Sequence, residues 1–213
     1  MKTRTIILTA FAVLVLAATT TFEHNKKDSL TLVTLDYSRP GQYHQILADL
    51  VGTWTFKGRH FSGNPNPDSN KVTIAFHGSL VRKPFANGRF FIVELTGSKL
   101  QRPLQMPIQD GKMKEDIGRT IETEGYDNVK KKFVLTFIGN HIGSGINFYE
   151  GKYDPMTKTI FFECEEELIP GRKRKVYEHF IIQDNDHYRL EYYRERDGTK
   201  VKTLEMICTR ACK

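Results

Sequence analysis

Two side chains on one predicted strand, Tyr192 and Arg194, are the residues best suited to binding chemistry. Residues 187–196 alternate like a half-buried strand, and one face carries Tyr188, Leu190, Tyr192 and Arg194. A guanidinium on an apolar face must be paired, hydrogen-bonded or close to water, and its planar fork suits a carboxylate. The pattern indicates a cavity that ties the polar head of an apolar molecule to these two residues. The alternative is that Arg194 lies at the rim and pairs with Glu166 or solvent.

The same alternation assigns further side chains to the interior. Glu166 is the charged residue on the even face of residues 158–168, where Phe162 also lies. Even positions are interior candidates in residues 144–150, with Phe148, and in residues 200–209, with Lys202, Leu204, Met206 and Cys208. His141 and His179 are the two histidines that distant segments could bring together. The predicted ligand-binding residues are Phe148, Phe162, Glu166, Tyr192, Arg194, His141 and His179.

Motifs for catalysis, metals and cofactors are absent from the sequence. None of the seven histidines forms an H-x-H or HExxH set, and there is no Gly-x-Ser-x-Gly elbow or P-loop. Glu163, Glu165 and Glu167 share one strand face, which is predicted to be solvated. We therefore predict no catalytic residue, metal ligand or cofactor. A non-enzymatic protein is favoured over an enzyme that would use Glu166, His141 or His179 as acid or base inside a barrel.

The charge balance, 32 − 25 = +7, falls to +5 if Lys2 and Arg4 leave with an export signal. The strongest basic cluster is Gly171-Arg172-Lys173-Arg174-Lys175. No aromatic residue interleaves it, so base stacking is unsupported and a nucleic-acid partner is not predicted. A solvated hairpin tip opposite the run of glutamates is the favoured interpretation. A protein- or surface-interaction module is the alternative.

The N-terminus has the pattern of a secretory signal. Lys2 and Arg4 precede an apolar stretch over residues 6–18, which is shorter than the roughly 20 residues that span a bilayer. We predict a signal peptide over 1–21, a flexible lead-in over 22–40 and one domain over 41–213. The protein is then exported, periplasmic or secreted, with no stable membrane span after cleavage. A disulfide between Cys208 and Cys212 is chemically allowed there, with Cys164 left as a buried thiol.

One helix and many strands must position these residues. Helical spacing over residues 41–51 ends at Gly52, and the period then changes to two. The predicted strands are 53–61, 71–81, 89–97, 100–107, 117–126, 131–139, 144–152, 158–168, 174–183, 187–196 and 200–209. Short turns between them favour antiparallel hairpins, and a barrel closes their edges. We predict an all-β, antiparallel up-and-down barrel of about 8–10 strands with one short N-terminal helix; a β-sandwich is the alternative.

Three motifs carry a resemblance to a known family. They are Leu47-Ala48-Asp49-Leu50-Val51-Gly52-Thr53-Trp54, then Gly125-Tyr126-Asp127-Asn128 and Gly151-Lys152-Tyr153-Asp154. Over residues 42–209 the chain resembles DUF1579, a bacterial lipocalin-like (calycin) domain of unknown function. The resemblance implies a barrel whose Trp54 packs across the closed end, and it implies no mechanism. We therefore expect an exported lipocalin-like protein that binds a small apolar or amphipathic ligand.

Overall fold

The computed structural model describes residues 29–99, 117–140 and 145–212. The chain divides into two compact units, Met1–Arg39 and Pro40–Lys213. In the first unit, residues 29–37 form a helix, α1, within the segment predicted as a lead-in. The predicted signal over 1–21 lies outside the described residues. No helix in the described part of the chain is long and apolar enough to cross a membrane.

The second unit is a closed barrel of ten antiparallel strands, which confirms the predicted fold class. A helix, α2 (Gln42–Ala48), precedes the barrel, and each strand pairs with its neighbours in chain order until β1 closes on β10. The predicted strand 100–107 lies outside the described residues. The ten strands are β1 (Gly52–Phe61), β2 (Val72–Phe85), β3 (Phe90–Lys99), β4 (Ile117–Asp127), β5 (Lys132–Gly139), β6 (Asn147–Asp154), β7 (Thr159–Ile169), β8 (Arg172–Ile182), β9 (His187–Arg196) and β10 (Thr199–Arg210).

Antiparallel order places the connections alternately at two ends of the barrel. We call the end with α2 and the turns at 86–89, 128–131, 155–158 and 183–186 the helix end. The opposite end, with the connection 62–71 and the turns at 170–171 and 197–198, is the loop end. Several interior side chains near the helix end are fully buried, such as Trp54, Phe91 and Tyr188, whereas Phe76, Phe137 and Leu204 towards the loop end stay partly exposed.

Trp54 closes the core at the helix end. Its indole N–H donates to the carbonyl of Leu50 at 3.0 Å, and its ring meets Tyr188 edge-on at 4.7 Å between centroids. The Arg210 guanidinium lies 4.3 Å from the Trp54 ring centroid and donates to the carbonyls of Asp49 and Val51. These carbonyls follow the last turn of α2, so the cation ties the helix C-terminus to β10. Trp54 thus has the structural role that the resemblance implies.

Gly52 is required where α2 passes into β1. Its φ of +137° lies in a region that favours glycine, and a Cβ there would approach the Arg210 guanidinium to 3.0 Å. The Gly-x-Trp motif therefore serves the packing of the helix end.

The two Tyr-Asp motifs also build the helix end. The Asp127 carboxylate accepts from the backbone N–H groups of Val129 and Lys130, each at 2.9 Å. Asp154 accepts in the same way from Met156 at 2.9 Å. The Tyr126 ring stacks on Tyr43 of α2 at 4.5 Å. The residues that carry the family resemblance therefore shape turns and close the barrel.

A β-bulge corrects one predicted interior position. The register between β10 and β9 shifts between Lys202 and Leu204. Leu204, Met206 and Cys208 keep the predicted interior face, but Lys202 turns outward and donates to Glu191 at 2.7 Å. The extra residue of the bulge reverses the inward and outward alternation, whereas the sequence prediction assumed an uninterrupted period of two along this strand. Val201 takes the interior place opposite Arg194.

All three cysteines are free thiols. Cys208 is buried beside Tyr188 in the core, whereas Cys212 is exposed. The structure therefore has no Cys208–Cys212 disulfide, since these two side chains lie in different environments.

Candidate ligand-binding site

Four predicted site residues share the interior face towards the loop end. Phe162 lies opposite Glu178 on β8, and Glu178 lies opposite Tyr192 on β9. Arg194 follows two residues later, between Val176 and Val201, and both valines are buried. Residues opposite each other on antiparallel strands point to one face, so Arg194 points into the barrel. Glu166 is buried on the same face of β7.

Glu166 has a partner, and it is not the predicted one. Arg174, across the β7–β8 hairpin, donates to the Glu166 carboxylate at 2.6 Å. Beside this pair, Lys173 binds Glu165 at 2.8 Å on the outer face. The basic run at the hairpin tip is therefore partly neutralised by the glutamates of β7.

Arg194 is a half-buried cation without a direct partner. Its guanidinium forms no hydrogen bond or ion pair with any residue that the structure describes. Burial, followed by the nearby charge of Arg174, lowers the pKa of Arg194, and Glu166 opposes this shift. A guanidinium nevertheless remains protonated at neutral pH. The third arginine here, Arg196, donates to the Gly63 carbonyl at 2.6 Å. Arg194 is thus available to an anion entering from the loop end.

The prediction that Phe148 faces the interior is wrong. Phe148 is 51% exposed on the outer face of β6, while the neighbouring Tyr149 is buried. Apolar Ile146 and Phe148 resemble an interior face in sequence, but the inward positions of β6 include Asn147, Tyr149 and Gly151. Gly151 is needed because a Cβ there would lie 2.6 Å from the Phe162 ring. The close packing of Gly151 against Phe162 therefore places the less hydrophobic face of β6 in the interior.

Of the two predicted histidines, His179 lies in the part of the chain that the structure describes. His179 points outward from β8, between the rings of Phe161 at 4.8 Å and Tyr193 at 4.6 Å. His141 lies outside the described residues. The interior acid or base that the enzyme hypothesis requires is therefore not supplied by His179.

Sequence reasoning missed a charged layer deeper in the barrel. Arg82 is 2% exposed and donates to both oxygens of Glu124, each at 2.8 Å. It also donates to the Leu50 carbonyl at 3.4 Å and lies near the rings of Phe180 and Tyr188, at 5.5 and 5.4 Å. The sequence did contain a signal for this layer, because Arg82 follows Leu80 by two residues and therefore shares its strand face.

Two more carboxyl groups lie between Arg82 and the loop end. Glu122 is 7% exposed and Glu178 is 3% exposed, and neither forms an ion pair with a described residue. Burial, then repulsion from Glu178 and Glu124, raises the pKa of Glu122 well above its ordinary value. Burial likewise raises the pKa of Glu178 to about 8, although a hydrogen bond from Tyr192 opposes it. At neutral pH the carboxyl group of Glu178 is therefore largely protonated.

Two further features of the described residues concern reactivity. Burial raises the pKa of the Cys164 thiol to about 11, so it is not a thiolate at neutral pH. Among the described residues, no group of three or more His, Cys, Asp or Glu side chains is arranged to hold a metal ion. The interior offers binding groups of both charges on an aromatic wall.

The comparisons with known proteins concern family and fold. The profile of the family described as "Protein of unknown function (DUF1579)" matches residues 39–210. No curated protein matches the chain. A redesigned beta barrel is 10% identical over 78% of this chain and 96% of its own, with a TM-score of 0.35. A protein of unknown function from the DUF3598 family of Nostoc punctiforme PCC 73102 is 10% identical over 81% and 100%, with a TM-score of 0.24.

Proposed function

Because the chain belongs to the DUF1579 family, which has no assigned function, we infer its role from its own residues and propose that the barrel binds one small amphipathic molecule. The anionic head of that molecule binds to Arg194, and its apolar body lies along the interior wall. The observation that carries this proposal is the unpaired, half-buried guanidinium of Arg194 on the interior face.

The wall near Arg194 suits an apolar body. Four interior hydrophobic side chains of the loop-end half are only partly buried, and they come from four different strands: Phe76, Leu95, Phe137 and Leu204. Covering the exposed part of such side chains contributes roughly 25 cal/mol per Å². The aliphatic or aromatic part of a ligand can supply this cover, while Arg194 selects the charged end.

Electrostatics favours an anion over a neutral head at this position. Arg174 is engaged by Glu166 and Arg196 by a backbone carbonyl, so Arg194 has unused donors. A carboxylate accepts two parallel N–H bonds from one guanidinium, and a hydroxyl cannot reproduce this geometry. We therefore expect a carboxylate, or an anion of similar size, rather than an alcohol.

The test compares decanoate with decanol in an equilibrium binding titration, with native mass spectrometry to establish the stoichiometry. Arg194→Met is expected to weaken decanoate binding by about 10- to 100-fold, because a charged hydrogen bond is lost. Binding of decanol should change little. The matched control is Arg172→Met at the exposed hairpin tip, which should leave both affinities unchanged. Failure of wild-type protein to bind either molecule, or equal decanoate binding by both variants, would contradict the proposal.

We also propose that binding takes place outside the cytoplasm. The basic, apolar and small residues over 1–21 support this location. The intact mass of protein recovered from the producing cell should correspond to a chain that begins near residue 22. A recovered full-length chain in the cytoplasm would contradict this part.

A further inference from the structure

The deep carboxyl pair, Glu122 on β4 and Glu178 on β8, has no cation of its own among the described residues, although Tyr192 donates to Glu178. Both side chains point into the barrel and are more than nine-tenths buried. They do not hydrogen-bond to each other, and neither forms an ion pair with a described residue. The nearest cation, Arg82, is already engaged by both oxygens of Glu124 and by the Leu50 carbonyl. Glu122 is therefore an unpartnered polar group aimed into the interior.

Aromatic groups surround this pair on the neighbouring strands. Phe162 of β7 and Tyr192 of β9 lie opposite Glu178 in the register, and Phe137 of β5 lies opposite Glu122. The negative charge of Glu178 also acts on Tyr149 of β6. Carboxylates together with aromatic faces are the groups that bind an organic cation. A metal ion would need more ligands than the two carboxylates offer.

We propose that Glu122 and Glu178 bind the ammonium group of a small organic amine that enters from the loop end. This inference rests on the proposed function, because the amine uses the same interior. Arg194 follows Tyr192 by two residues on β9, which is about 7 Å along the strand. A ligand whose amine reaches Glu122 and Glu178, and whose anionic group lies about 7 Å nearer the loop end, can bind to the carboxyl pair and to Arg194 together.

Binding of the ammonium ion is linked to loss of a proton from the pair. Burial raises the pKa of Glu178 to about 8, so this carboxyl group is largely protonated at neutral pH. Burial, with repulsion from Glu178 and Glu124, also raises the pKa of Glu122 well above its ordinary value. The groups that face the pair are Arg82 and Glu124 from the deeper layer, Tyr149 and Tyr192 from the sides, and the thiols of Cys164 and Cys208. An ammonium ion needs an ionised carboxylate, so about one proton passes to the buffer on binding. Alkyl amines stay protonated up to about pH 10, so affinity should rise from pH 6 to pH 8.5.

The experiment compares decylamine with decanol, titrated by calorimetry at about pH 6 and about pH 8.5. At the higher pH, decylamine should bind at least tenfold more tightly than decanol, and the advantage should fall about tenfold at the lower pH. Glu122→Gln and Glu178→Gln should each remove most of the advantage. The matched control is Glu163→Gln on the outer face of β7, which should keep it.

If a Gln variant does not fold, the proposal can still be tested on wild-type protein by measuring proton release. At about pH 6, titrations in two buffers of different ionisation enthalpy should show release of about one proton per decylamine bound and none for decanol. Equal affinity for amine and alcohol at both pH values, or no proton release, would overturn the proposal. Decanoate binding that depends on Arg194 is measured separately, so the amine site can fail while the proposed function stands.

Discussion

Arg82 and Arg194 are both interior arginines, but they lie in opposite surroundings. Arg82, towards the helix end, is buried, binds both oxygens of Glu124 and lies near the stacked rings of Phe180 and Tyr188. Arg194, towards the loop end, is half-buried and has no direct partner in the described chain. One guanidinium is part of the folded core, and the other is the one that we propose binds an anion. The comparison distinguishes an arginine that stabilises the fold from one that we propose takes part in ligand binding.

The difference extends to the two ends of the barrel. Trp54, Arg210 and the Tyr-Asp turns close the helix end with satisfied hydrogen bonds. Towards the loop end, charged and aromatic side chains share the interior with partly exposed hydrophobic residues. We therefore expect substitutions at the helix end to change stability, and substitutions at the loop end to change binding.

The largest expected effect is that of Arg82→Met. The substitution leaves the Glu124 carboxylate buried without its cation, which should lower the free energy of unfolding by about 3–5 kcal/mol. Urea denaturation followed by circular dichroism measures it. The double variant Arg82→Met/Glu124→Gln is the control, because it removes the uncompensated charge and should recover much of the loss. A change below about 1 kcal/mol in the single variant would show that Arg82 is not structural.

The next effect is the pH dependence caused by Glu178, between the two arginines. Its folded pKa of about 8 exceeds its unfolded value, so its contribution to stability is fully present below about pH 4.5. That contribution is lost as the pH rises towards 8. Glu178→Gln should therefore match wild type near pH 4.5 and be more stable by about 2–4 kcal/mol near pH 8.

Thermal or urea unfolding of both proteins across this pH range measures the difference. Glu163→Gln, on the outer face, is the matched control and should follow wild type throughout. A difference that is independent of pH would contradict the raised pKa of Glu178.

A smaller loss is expected from Trp54→Phe at the helix end. The variant keeps a ring but loses the buried indole N–H bond to Leu50 and part of the contact with Tyr188 and Arg210. We expect a loss of about 1–3 kcal/mol in the free energy of unfolding. Under conditions in which the variant is fully folded, its affinity for decanoate should equal that of wild type. A loss of decanoate affinity in the folded variant would place Trp54 in the binding site instead.

The smallest effect on stability is expected from Arg194→Met. Because the guanidinium is partly desolvated without a partner, its removal should change the free energy of unfolding by less than about 1 kcal/mol. Compared with Arg82→Met in the same assay, this variant should retain stability while it loses decanoate binding. A loss as large as that of Arg82→Met would show that Arg194 also holds the fold together.

Local patterns were sufficient to predict the strands, the turns and much of the interior. Alternation placed Phe162, Glu166 and Arg194 correctly, because β7 keeps a period of two as far as Glu167 and β9 keeps it against β8. It failed on β6, where close packing around Gly151 turned Phe148 outward. It failed again at Lys202, where a bulge reverses the alternation. Both failures come from contacts between strands, which one strand's pattern does not contain.

The sequence by itself determined a closed, antiparallel barrel with Trp54 and the Tyr-Asp turns at one end. Propensity, period and turn chemistry act between residues close in the chain, so they can be read there. Only the tertiary structure decided which charges pair. Arg82 binds Glu124, Arg174 binds Glu166, and the charge of Glu178 on β8 acts on Glu122 on β4. Closure of the barrel brings together strands that are far apart in the chain. The charged side chains that it leaves without an ion pair define the candidate site.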